Sequence, residues 1–309
     1  MARYLTVGNL LVEDVVLPDG RKALDRLGGD ALYAAIGARA FAEDVELVVR
    51  LGQKFPPGLV RALENAGYGA GLTPSEHSTV RLWVEPGVEG GSRFTFNAEA
   101  GTYEQATPMP DEIPESLVER LDAVHLAPVP FEQMEALLRW ARPRARVLTV
   151  DPHYQHVNGR ATDWRRVLPL VDAFLPSRHE AAALLGGWPG PEDAAQSLAA
   201  LGAPVVCVKL GAEGSVGYRA ADGLLVRIPA ASADPADPTG CGDAFCGGFL
   251  VGFAQSGDLG TAMAHGSVAA AFVGEDHGAA HALLVDRREA QRRLTALMED
   301  VEPSRAEQR

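Results

Sequence analysis

Residues 237–248 read Asp-Pro-Thr-Gly-Cys-Gly-Asp-Ala-Phe-Cys-Gly-Gly. Asp237, Pro238 and Gly240 resist helix, whereas Phe245, Phe249 and Phe253 recur every four residues. That spacing predicts a helix with its rings on one face, opened directly by a glycine-rich turn. The amides of Gly240, Cys241, Gly242 and Asp243 then lack intrahelical partners and lie at the positive end of the helix dipole. Such a place binds anions, phosphate above all. Asp243 adds a carboxylate beside the anion, which binding alone does not need but removing a proton from an attacking hydroxyl does. The stretch reads as a phosphoryl-transfer site. Ordinary capping would also put Asp, Thr and Gly here. Capping does not explain Gly247, Gly248 and Gly252 inside the helix, each costing about 1 kcal/mol against Ala. Some other backbone, a neighbouring strand for example, must approach closely.

The elements that position this turn follow from the rest of the chain. Its 309 residues are 47% hydrophobic and 22% charged, a globular composition with room for a sizeable core. A net charge of −13 argues against nucleic acid and anionic membranes as partners, and demands a locally positive pocket for any anionic substrate. Three cysteines without metal-ligand spacing make no disulfide framework. With no signal peptide and no apolar run near ~18 residues, a cytoplasmic protein is expected.

Tyr4–Val7 and Val45–Leu51 read as strands, and Ala31–Phe41 as a helix after Gly28-Gly29. Val12–Leu17 closes on a Pro18-Asp19-Gly20 turn. From Thr79 to Phe96 apolar residues alternate around a break at 86–91, a β-hairpin. Beyond residue 120, short apolar strands alternate with helices, which implies a parallel sheet wound with right-handed crossovers. The hairpin interrupts that rhythm and is expected to project as a lid. One domain over 1–300 is predicted, with lid segments near 10–20 and 77–98 and a flexible tail over 301–309. Competing chemistries lack their residues. No Gly-Lys-Ser/Thr triplet, third dinucleotide-fold glycine or Gly-x-Ser-x-Gly elbow occurs. His277 and His281 are four apart, but Gly278 between them and the lack of an adjacent Glu argue against a metal pair.

Asp237–Phe245 resembles the C-terminal signature of the ribokinase-like, or PfkB, family of carbohydrate and nucleoside kinases. Gly28-Gly29-Asp30 before an Ala-rich helix resembles its substrate motif, and Val208–Gly214 its nucleotide strand and turn. Ser177-Arg178-His179-Glu180 sits where the family carries Asn-x-x-Glu, and His277-Gly278-Ala279 resembles the loop ending its nucleotide pocket. The resemblance covers roughly Tyr4–Ala280. It implies an α/β, ribokinase-like three-layer αβα fold, with a mostly parallel central sheet and a small β-hairpin lid.

It also implies ATP and Mg²⁺ as cofactors and a small-molecule acceptor, a sugar or sugar derivative. The alternatives are a nucleoside acceptor or a catalytically degenerate metabolite-binding relative. Asp243 would be the base, and Gly240, Cys241 and Gly242 the anion hole. Glu13, Asp14, Gly28, Gly29, Asp30 and Tyr33 would bind the acceptor, with Asp14 chosen over Glu13 as the carboxylate facing it. Ser177, Lys209, Gly211, Glu213, Gly214 and Ser267 would face the nucleotide. Glu180 would hold Mg²⁺ through water, and Asp237, with Thr239, would mark a monovalent cation site for K⁺. Tyr33 and Ser177 replace the family's Asn residues, and Asp151-Pro152-His153-Tyr154-Gln155 only partly matches Asp-Pro-Asn-x-Arg. Arg81 and Arg93 on the hairpin read as solvated more than as ligands, and Trp83 reads equally as a ring that stacks on the acceptor and as one packed on its own hairpin. Cys241 reads as a small residue and not as a reactive thiolate. Unpaired lid edges invite a homodimer through the lid.

Overall fold

Each central strand is an apolar run buried on both faces, as parallel sheets require. The computed structural model describes residues 3–16, 19–86, 92–97, 102–119 and 121–301. Among these the strands are β1 (Arg3–Val7), β2 (Leu11–Val16), β3 (Lys22–Gly28), β4 (Val45–Gln53), β5 (Leu72–Ser78), β6 (Arg81–Pro86) and β7 (Ser92–Asn97). They continue with β8 (Leu121–Leu126), β9 (Val147–Val150), β10 (Ala173–Phe174), β11 (Val205–Lys209), β12 (Ser215–Arg219) and β13 (Leu224–Ile228). The main sheet has the order β13-β12-β11-β10-β9-β8-β1-β4-β5. It is parallel from β5 to β11, and β12 and β13 then continue it as an antiparallel hairpin that the alternation did not foretell.

Alternate residues of the strands feed two helix layers. Leu5, Val7, Val124 and Leu126 pack with Met134, Leu138 and Trp164 on one face. Tyr4, Ala123 and Leu47 pack with Ile36 and Leu250 on the other. The expected rings stack along the helix Cys241–Ser256, Phe245 to Phe249 at 6.3 Å and Phe249 to Phe253 at 5.6 Å. The close neighbours of its glycines are two helices and not a strand. A Cβ on Gly247 would lie 1.8 Å from the carbonyl of Ala34, and one on Gly248 2.6 Å from that of His265. The backbones therefore nearly touch, which fixes the N-terminus of Cys241–Ser256 against Asp30–Arg39. Gly247→Ala is expected to destabilise the fold by about 1–3 kcal/mol, as overpacking does. Urea denaturation checks it, and an unchanged midpoint would contradict this packing.

A second sheet, ordered β3-β2-β6-β7, covers the C-terminal edge of the first. The hairpin of β6 and β7 is present, but the lid is larger than a hairpin. β2 pairs with β6 in parallel and with β3 in antiparallel fashion. β3 escapes the apolar pattern because only its last two residues are buried. The hairpin tip, Pro18, the Arg93 side chain and the tail from Glu302 lie outside the described residues. No helix among the described residues is long and apolar enough to cross a membrane.

Candidate active site

The chain runs outward from β1 through β4 to β5, then resumes on the other side of β1 at β8. Ligands of open α/β sheets collect where the order reverses in this way, outside the carboxyl ends of the strands. There the structure holds a cleft of about 730 Å³. β9 delivers Asp151, β10 leads to Ser177, β11 ends on Lys209, and the lid contributes Glu13.

The turn lies at its centre. Gly240 adopts a left-handed conformation (φ 77°), and a Cβ there would lie 2.3 Å from the Tyr33 ring, so only glycine fits. The Cys241 amide donates to the Pro238 carbonyl at 3.2 Å. That corrects the expectation of four free donors, because the loop's own carbonyl takes this one. The amides of Gly240, Gly242 and Asp243 have no protein acceptor among the described residues. Burial, with Asp237 and Asp243 nearby, pushes the Cys241 thiol up to about 12, in keeping with a small residue and not a thiolate.

Asp243 lines the cleft beside Asp30, Asp151 and Glu180. Burial first, then the charges of Asp30 and Asp151, hold its carboxyl well above the usual range against the pull of Lys209. Lys209 forms a buried ion pair with Asp151 and lies 3.3 Å from the Cys246 sulfur. Its Nζ is 3.8 Å from where a Cβ of Gly242 would be, which sets the ammonium next to the free amides. Burial alone would lower the Lys209 pKa; Asp151 and the other acids outweigh it and hold the pKa well above normal. Asp151 is pushed up to about 7 by burial, and its Oδ1 has no partner. In the sequence Asp151 stands only within a partial motif match, with no role attached.

At the other end Glu13, and not Asp14, faces the cleft. Leu11, Glu13 and Val15 share one face of β2, and two of them pack into the lid core. Asp14 points the opposite way and pairs with Arg81, which also holds Asp25. Trp83 lies under Lys22 in the same sheet, a self-packed lid residue. Glu13 accepts the Tyr33 hydroxyl at 3.0 Å, and burial pushes its carboxyl up to about 8. A Cβ on Gly28 would lie 1.9 Å from Glu13 Oε1, so this glycine makes room for the acid. Gly29 caps the helix Asp30–Arg39 without lining the cleft. Asp30 lines it and accepts the Tyr103 hydroxyl at 3.2 Å; burial pushes Asp30 up to about 6. Tyr103, His153 and Tyr154 also line the cleft and were not assigned from sequence.

Ser177, Gly211, Gly214 and Ser267 line the far end. The Ser267 hydroxyl donates its one hydrogen to the Pro229 carbonyl and accepts the Ala231 amide, so it pins the wall and has no hydrogen left to donate to a ligand. Glu213 does not line the cleft; it pairs with Arg178 on the surface. Glu180 caps its own helix through Oε2, which accepts both Ser177 N–H and Oγ–H at 2.7 Å. Asp237 is buried behind the turn, its Oδ1 taken by the Thr239 amide and its Oδ2 3.2 Å from His277 Nδ1. His277-Gly278-Ala279 do not line the cleft; the His277 ring braces Asp237 from behind.

A carboxyl whose pKa rises on folding stabilises the protein below its unfolded value and loses that contribution as pH climbs through the folded one. For Glu13 and Asp151 the loss extends up to about 7–8. His125 and His153, pushed by burial down to about 3, act in the opposite sense, as pH falls through about 6.5. Above about pH 6.5 these histidines therefore no longer oppose the acids. The melting temperature is expected to fall between about pH 6.5 and 8.5, and Glu13→Gln to flatten that fall. An unchanged slope in the variant would contradict a protonated Glu13.

Residues 8–286 match the model of the pfkB family of carbohydrate kinases. A cytidine kinase of Thermococcus kodakarensis is 29% identical over 84% of this chain and 91% of its own. A nucleoside kinase of Methanothermobacter thermautotrophicus is 28% identical over 90% of this chain and 89% of its own. Among solved structures, a fructokinase of Xylella fastidiosa with bound ATP superposes with TM-score 0.76 at 18% identity, covering 96% of this chain and 100% of that one. The nucleoside kinase of Methanocaldococcus jannaschii does so with TM-score 0.70 at 19% identity, covering 95% and 98%. The fold is thus ribokinase-like, and the chain belongs to the pfkB carbohydrate kinase family, phosphotransferases whose acceptor is a hydroxyl group.

Proposed function

We propose that this chain transfers the γ-phosphoryl group of ATP to a hydroxyl of a sugar or sugar derivative, with Asp243 as general base. One observation carries the reading: the Asp243 carboxylate and the free amides of the same turn face one cleft, next to Lys209. The acceptor oxygen forms a bond to phosphorus as the bond to the ADP oxygen breaks, and its proton passes to Asp243. The amides of Gly240, Gly242 and Asp243 donate to the phosphoryl oxygens where charge spreads. The lid, which presents Leu11 and Leu82 to the cleft, excludes water that would otherwise accept the phosphate.

The donor set suits Mg²⁺. Among the described residues no three His, Cys, Asp or Glu side chains form a metal cage, and Mg²⁺ prefers phosphates and water with one or two carboxylates. Glu180 keeps Oε1 for that use, and the ion would neutralise phosphate charge. An E. coli protein described as a ribokinase II was solved with ATP and Mg²⁺, which supports the pairing. For K⁺ the Asp237 carboxylate and the buried, unpartnered Thr239 Oγ1 are the available groups, and entry there requires the His277 ring to leave Oδ2. The outer strands β3 and β7 support a homodimer through the lid, which light scattering tests.

A nucleoside acceptor is the second reading, supported by the two relatives named cytidine and nucleoside kinases. ADP release with ATP and Mg²⁺ across sugars and nucleosides, with product masses, tests the whole reading. Turnover with at least one acceptor is expected. No turnover, with acceptors still raising the melting temperature, would favour the degenerate binding protein.

A further inference from the structure

Tyr33 touches both halves of the cleft. It follows Asp30 by three residues on the helix Asp30–Arg39, so the two side chains share a face. That helix has no slack against Cys241–Ser256. A Cβ on Gly37 would lie 2.0 Å from the carbonyl of Ala244, and Gly247 meets that of Ala34 as closely. Tyr33 is therefore anchored to the helix that the phosphoryl-transfer turn opens. At 2% exposure it offers an acceptor almost no surface of its own.

The ring and the hydroxyl meet different partners. A Cβ on Gly240 would lie 2.3–2.4 Å from Cγ, Cδ1 and Cδ2 of Tyr33 alike, so the glycine rests on the face of the ring. The ring is thus the floor of the turn that carries the free amides of Gly240 and Gly242. The hydroxyl donates to Glu13 Oε2 at 3.0 Å. Glu13 belongs to β2 of the lid, and Arg26, opposite it on β3, is turned to the His277 carbonyl. Tyr33 is therefore the side chain that ties the lid acid to the rigid helix pair.

We propose that Tyr33 is a positioning residue with two separable parts, in place of the acceptor contact expected of it. Its hydroxyl sets Glu13 for the acceptor, and its ring sets the turn for the phosphoryl group. One side chain then fixes how the two reactants approach each other, which transfer between them requires. This rests on the kinase reading above and deepens it. Burial raises the Glu13 carboxyl most, the Tyr33 hydroxyl pulls it back, Asp237 and Asp30 raise it further, and the Gly29 amide lowers it.

Separate variants test the two parts. Tyr33→Phe keeps the ring and is expected to raise KM for the best acceptor about tenfold, with a smaller change in kcat, as loss of one hydrogen bond to an acid does. In the same variant without substrate, the pH at which the ¹³C signal of the Glu13 carboxyl is half titrated should rise by about 0.5–1. Its loss in Glu13→Gln identifies that signal. Tyr33→Ala removes the ring as well and should add a fall in kcat of about 100-fold, the effect of a turn misplaced by about 1 Å. Gly240→Ala reads the ring without turnover. Its methyl should lower the urea midpoint of the natural chain clearly more than that of Tyr33→Ala, where the space is open. An unmoved Glu13 titration in Tyr33→Phe, or an equal loss of midpoint in both backgrounds, overturns the inference and leaves the kinase reading standing. Should Tyr33→Ala fail to fold, Tyr33→Phe still decides: an acceptor KM within twofold of the natural chain overturns the inference. If no acceptor releases ADP with the natural chain, the kinase reading fails instead, and the titration and urea measurements still decide this one.

Discussion

Lys209→Met is expected to destabilise the protein by about 3–5 kcal/mol near pH 8.5 and by much less near pH 6. The ammonium is the partner of Asp151, which is almost fully buried and already has one oxygen without a partner. Removing it strands a charge in the core, unless the carboxyl takes up a proton. Burial already pushes Asp151 up to about 7 against the pull of the ammonium, and loss of that pull raises it further, so low pH relieves the variant. Asp151→Asn in the same chain should restore most of the stability. Activity should not return with it. Lys209 sits beside the free amides, and loss of one preorganised donor to a transferring group lowers kcat by roughly 10²–10³-fold. Urea denaturation at both pH values and steady-state rates check this. A double variant with full kcat would make Lys209 a purely structural cation.

Asp243→Asn is expected to lower kcat by roughly 10²–10⁴-fold, the range for a positioned general base. The amide keeps the shape and polarity of the side chain but has no basic oxygen pair. Nucleotide binding should survive, because the amides and Lys209 are untouched; the rise in melting temperature with Mg²⁺–ATP reports it. The ligand-free fold should become more stable and not less. Burial and two neighbouring acids oppose ionisation of Asp243, and Asn removes that conflict. Gained stability with lost rate is what a group placed for chemistry produces. A variant that lost stability and rate together would point to a structural carboxylate.

What was legible in the sequence tracks how local each signal is. Phe245, Phe249 and Phe253 declared their helix and its buried face through spacing alone. β8, β9 and β11 are apolar runs between helices, which sufficed for a parallel sheet. Glu13 against Asp14 was not decidable, because Leu10, Leu11, Val12, Val15 and Val16 surround them with apolar residues in both phases. With no alternation there is no face to assign. The Asp151–Lys209 pair joins the ends of β9 and β11, and only the sheet order brings those ends together. The Cys241 amide looked free because a helix N-terminus usually leaves it so; the carbonyl of Pro238 that takes it depends on the fold of the preceding loop. Tyr103 sits on a five-residue helix that carries no amphipathic signal.

The central claim is that the turn Gly240–Asp243 moves a phosphoryl group and that Asp243 takes the proton. Rapid-quench single turnover, with excess enzyme and γ-labelled ATP plus the best acceptor, tests it most directly for the natural chain and Asp243→Asn. The natural chain should pass the label to the acceptor, and the variant should bind the same nucleotide yet transfer label at least about 100-fold more slowly. Equal transfer rates in the two proteins would contradict the assignment of the base.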